Sequence, residues 1–77
     1  MTKEEWLDNF SDNLKYLIYE EGTSQRQLSV DSGVSVGMIS EYINKIATPS
    51  VFAIINMAYS LDVEIDDLID FGEPSDK

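Results

Sequence analysis

Along the first quarter of the chain, apolar residues recur at intervals of three and four: Trp6, Phe10, Leu14, Leu17 and Ile18. That spacing puts them on one face of a helix. Thr2 followed three positions later by Glu5 forms a capping box, and Gly22 supplies a stop. Helix one is therefore expected over about residues 3 to 21. Ser24 opens a second helix as N-cap, with Gln27 placed to bond back to it, and this helix should end near Ser32. Gly33 allows the left-handed turn that two closely packed helices need, and Ser35 caps a third helix.

In the third helix Ile39, Tyr42 and Ile43 share one face, so Val36, Gly37, Ser40, Glu41 and Asn44 should point away from the core. Thr48-Pro49 reads as an N-cap followed by proline at the first helical position. It would open a fourth helix whose Phe52, Ile55, Ala58, Tyr59 and neighbouring apolar residues are expected to be nearly all buried, the spine of the core. The segment from Asp62 to Asp70 fits a turn and a short fifth helix, capped near Glu64 and closed by Gly72. Glu73 to Lys77 reads as a loose tail after a single domain over residues 1–72. With no alternating strand pattern and no internal repeat, the expected class is a compact all-α domain of five helices.

The composition narrows the chemistry. The 77 residues are 43% hydrophobic, enough for one core without staples. There is no cysteine and no histidine, which removes disulfides, thiolate metal sites, cysteine nucleophiles and the commonest general base. No nucleophile-and-base pair and no glycine-rich phosphate loop is present, so neither an enzyme nor a cofactor is expected. The chain shows neither a signal peptide nor an apolar run of membrane length, and a cytoplasmic protein is the expectation.

Charge runs the other way. A formal charge of −10 is unusual for a chain that meets phosphate. Its distribution is uneven. Residues 1–21 hold six acids and two bases and residues 51–77 seven acids and one base, while residues 22–50 balance Asp31 and Glu41 against Arg26 and Lys45. The acidic flanks are either solvated faces or a surface for a basic protein partner.

The pattern Gln25-x-x-Leu28-Ser29-x-x-x-Gly33-Val34-Ser35-x-x-x-Ile39-Ser40-x-Tyr42-x-Asn44 resembles the helix-turn-helix of Cro/phage-repressor (XRE-type) transcriptional regulators. Pro49-Ser50, Met57-Ala58, Leu61-x-Val63 and Asp67-Leu68 continue the match over about residues 10 to 70. The resemblance implies a lambda-repressor-like fold, with the helix-turn-helix at about residues 24–45. It implies a repressor that binds double-stranded operator DNA as a homodimer, on half-sites about one helical turn apart.

Gln25 matches the family's phosphate-contacting glutamine, and it stands where a helix N-terminus favours an anion. Arg26, Asn44 and Lys45 complete the expected phosphate set. The resemblance assigns base reading to Ser35, Val36, Gly37, Ser40 and Glu41. Val36 could pack on a thymine methyl, Gly37 admit the helix backbone to the groove, Ser40 bond either base edge, and Glu41 accept from cytosine N4. A solvent-exposed face without a ligand is the plainer reading of the same strip.

Two further points stay open in the residues. Trp6, Leu7, Ile65, Leu68, Ile69 and Phe71 either all fill the core or leave an exposed subset for self-association. The alternative function is an acidic helix-turn-helix module that binds a protein and modulates another regulator. Asp62, Glu64, Asp66 and Glu73 stand at calcium-loop offsets, but Asp67 occupies the place that needs glycine, so no metal is expected.

Overall fold

A computed structural model describes residues 1–69 as five helices: α1 (Lys3–Glu20), α2 (Gln25–Ser32), α3 (Val36–Ile43), α4 (Val51–Leu61) and α5 (Ile65–Leu68). No strand occurs among the described residues. The start of α1 is closed in both directions: the Glu5 N–H donates to Thr2 Oγ1 at 3.1 Å, and the Thr2 N–H donates to Glu5 Oε1 at 2.7 Å. That backbone donor favours the ionised carboxylate and holds the Glu5 pKa below its usual value. At the other end Gly22 takes φ 68°, and the N–H groups of Gly22 and Thr23 turn back onto Tyr19 and Ile18. This is a Schellman stop.

Every helix contributes to one core. Phe10 and Leu14 from α1, Leu28 from α2, Ile39 from α3, Met57 from α4 and Leu68 from α5 are each 0–1% exposed. Truncating any of them to alanine should cost about 2–5 kcal/mol, against a total stability of about 5–15 kcal/mol for a domain. Phe10 stacks on Trp6 with centroids 5.5 Å apart and meets Tyr42 edge-on at 6.1 Å, which fastens α1 to α3. Asn13 donates to the Leu68 carbonyl at 3.0 Å and ties α1 to α5. No helix of the described residues is long and apolar enough to cross a membrane.

Several sequence expectations need correction. Helix α4 is capped by Ser50, whose hydroxyl accepts from the Ala53 N–H at 3.0 Å, and not by Thr48. Pro49 lies before the cap and is buried, so the core draws in the proline and the next hydroxyl takes the capping place. The buried face of α4 is Ala53, Ile54, Met57, Ala58 and Leu61. Phe52, Ile55 and Tyr59, expected inside, are 72%, 45% and 87% exposed. The helix is apolar on both sides, and contact with α2 and α5 selects one of them.

Gln27 does not return to its cap. Its Nε2 donates forward to Asp31 at 2.9 Å, while the Gln27 N–H is held by Ser24 Oγ at 3.1 Å. Helix α5 ends at Leu68 rather than running toward Gly72, which lies outside the described residues with Phe71 and the expected tail at 73–77. Among the residues considered for self-association, Leu68 is fully buried, Trp6, Leu7 and Ile69 pack partly against the core, and Ile65 is exposed. Of the calcium-loop positions, Asp62 ends α4, Glu64 caps α5 with its N–H donating to the Asp67 carboxylate at 3.0 Å, Asp66 lies within α5, and Glu73 lies outside the described residues. Among the described residues no group of three or more carboxylates is placed to hold a metal ion.

Candidate nucleic-acid interface

The turn between α2 and α3 is built by short-range bonds. Gly33 adopts φ 78° and its N–H returns to the Ser29 carbonyl at 2.9 Å. The Val34 N–H then donates to Ser32 Oγ at 3.1 Å, a support supplied by a nearly buried hydroxyl. Ser35 caps α3 by accepting from the Met38 N–H at 3.1 Å. Two anchors fix α3 from below: Ile39 is fully buried, and the buried Ser11 hydroxyl of α1 donates to the Tyr42 carbonyl. Burial, and next the charge of Glu41, pushes the Tyr42 pKa up and keeps its phenol neutral.

This scaffold leaves the expected readout strip open. Ser35, Val36, Gly37 and Glu41 are exposed and Ser40 is half-buried. A methyl built on Gly37 meets nothing within 4 Å, so no part of the chain itself requires glycine there. Met38, not singled out from the sequence, is also exposed beside the strip. Its position just outside the apolar Ile39–Tyr42–Ile43 face is the signal that could have found it.

The expected phosphate contacts divide. Gln25 and Arg26 are exposed at the first two positions of α2, where backbone N–H groups have no intrahelical acceptor. Among the described residues Arg26 has no carboxylate within 4 Å. Asn44 instead turns its amide back onto α3, donating to the Ser40 carbonyl at 2.9 Å and Ser40 Oγ at 3.3 Å. That contact leaves the Ser40 O–H free to donate outward.

Lys45 is the larger surprise. It adopts φ 64° as the left-handed residue of a second Schellman stop, with the Ile46 N–H on the Glu41 carbonyl at 2.8 Å and its own N–H on Tyr42 at 3.1 Å. Its ammonium lies 3.6 Å from Asp8 and 3.7 Å from Asp12, both on α1. The cation expected to face phosphate is thus shared with two carboxylates. All three groups are well exposed, so each pair is worth less than about 1 kcal/mol and readily exchanges.

Comparison with known proteins agrees with this geometry. A family model described as helix-turn-helix matches residues 14–68. Among curated proteins no sequence matches the chain. The fold is similar to the high-resolution crystal structure of the restriction-modification controller protein C.AhdI from Aeromonas hydrophila, with a TM-score of 0.78 and 27% identity over 82% of this chain and 96% of that one. The chain belongs to the XRE-type helix-turn-helix family, and it is a DNA-binding transcription regulator rather than an enzyme.

Proposed function

We propose that this protein is a sequence-specific repressor that occupies double-stranded operator DNA as a homodimer. One observation carries the reading: α3 presents an open, rigidly seated strip from Ser35 to Glu41 in the part of an acidic chain where charges balance. In this reading Val36 packs on a thymine methyl, Ser40 donates to a base edge, Glu41 accepts from cytosine N4, and Ser35 and Gly37 give close approach. Gln25 and Arg26 hold phosphate at the start of α2 and fix register. Asn44 and Lys45 join them when their present partners on α3 and α1 exchange for phosphate. The likeness to a controller protein supports a role in gene control.

With so few cations, affinity depends on shape and on two matched half-sites rather than on charge. Two copies each using Arg26 and Lys45 should give a salt slope of about −4 in log K against log salt. The test is selection from a randomised duplex pool, followed by anisotropy titration of the winner at several salt concentrations. Enrichment of a two-fold symmetric site with that shallow slope is the expected result. A pool that yields no bound duplex even at low salt would refute the reading.

A further inference from the structure

We infer that Gly37, Met38 and Glu41 form a subsite for one modified base, a cytosine methylated at C5. The inference deepens the operator reading above and rests on it. Helix α3 carries a single charge, that of Glu41, and no Arg, Lys, Gln or Asn between Val36 and Ile43. The bidentate pairs by which side chains grip guanine or adenine therefore cannot form along it. What this strip can read is a methyl or an amine. Met38 is 38% exposed although its neighbour Ile39 is fully buried, and beside it Gly37 leaves open space in which an added methyl meets nothing within 4 Å. Glu41 follows Met38 by three residues and Gly37 by four, so thioether, gap and carboxylate adjoin on the helix surface.

Glu41 sets the first demand. Among the described residues its carboxylate has no cation within 4 Å, and between phosphate backbones it is tolerated only against a hydrogen-bond donor. Cytosine offers its N4 amine, whereas thymine presents the O4 acceptor at the same place and repels a carboxylate. Met38 sets the second demand. Its long unbranched thioether gains by covering an apolar group, and among unmodified bases the major groove offers only the C5-methyl of thymine. Cytosine thus satisfies Glu41 and leaves Met38 against bare ring, and thymine does the reverse. An A·T pair carries a donor and a methyl, but the O4 acceptor stands between them. C5-methylcytosine has amine and methyl on adjoining ring atoms and meets both demands, with the space above Gly37 to admit them.

The test is selection from two randomised duplex pools, one made with cytosine and one with C5-methylcytosine. Anisotropy titrations of the winning duplexes then compare cytosine, C5-methylcytosine and thymine at each pyrimidine position. One position per half-site should bind about fourfold more tightly when its cytosine is methylated, the worth of burying one methyl. Thymine there should bind at least about fivefold more weakly than C5-methylcytosine. Met38→Ala should abolish the methyl gain and leave affinity for the unmethylated duplex unchanged, and Met38→Leu should retain the gain. Both should keep the natural helical circular dichroism, because the side chain already meets water. Glu41→Gln should bring thymine level with C5-methylcytosine, since an amide can donate to O4 as well as accept from N4. An operator at which no cytosine methyl tightens binding, a gain that survives Met38→Ala, or thymine that binds the natural protein as well as C5-methylcytosine would each overturn the inference and leave the regulator reading standing. No bound duplex from either pool would count against both.

Discussion

Gly37→Ala separates stability from recognition at the centre of the proposed readout strip. A methyl at this position meets nothing within 4 Å, and Gly37 is the second residue of α3 with no left-handed φ to protect. The substitution therefore adds helix propensity without a clash. A mid-helix glycine costs roughly 0.5–1 kcal/mol relative to alanine, and in the first turn the lower end of that range applies. At about 4–8 °C per kcal/mol for a domain of this size, the melting temperature should rise by about 2–4 °C. If the backbone at Gly37 lies close to the groove floor, the same methyl should weaken operator binding tenfold or more, about 1.4 kcal/mol. Binding to unrelated duplex, which rests on phosphate contacts, should change little. Thermal melts by circular dichroism and paired anisotropy titrations measure the two effects on one preparation. A protein that melts higher and binds its operator worse cannot owe the loss to unfolding. A lower melting temperature would contradict the open space around Gly37, and unchanged operator affinity would remove Gly37 from the interface.

Lys45→Gly should stabilise the fold by about 1 kcal/mol, because Lys45 sits at φ 64° and glycine takes that conformation without strain. The same change should weaken all duplexes alike and make the salt slope about one unit shallower per protomer; a loss of stability in urea titrations would contradict this account. Asp8→Asn combined with Asp12→Asn frees the Lys45 ammonium, so DNA affinity should rise several-fold at low salt while stability falls by less than about 1 kcal/mol. Weaker binding in that double variant would show that the carboxylates do not compete with phosphate. The raised pKa of Tyr42 keeps its phenol neutral in the fold, whereas the unfolded chain ionises near the ordinary value of 10.0. Its contribution is therefore fully present below that value and declines as pH rises through it. Urea midpoints from about pH 9 to about pH 11 should fall more for the natural protein than for Tyr42→Phe.

The caps at Thr2, Ser24 and Ser35 and the turns at Gly22 and Gly33 were legible in the sequence, because each is a bond or a backbone preference acting over three or four residues. The same locality made α3 readable: Ile39, Tyr42 and Ile43 share its inner face, so the exposed strip followed from periodicity. Helix α4 was different. Apolar residues surround it, and period alone cannot choose between the Ala53–Met57 side and the Phe52–Tyr59 side. Only packing against α2 and α5 made that choice, and it left an apolar face uncovered that the sequence had placed in the core. The partners of Lys45 and the burial of Ser11 were equally out of reach, since each joins α1 to the end of α3 across more than thirty residues. Local chemistry fixed where the helices begin, turn and end. Long-range contact decided which side of each faces water, and where the scarce positive charge of the helix-turn-helix is spent.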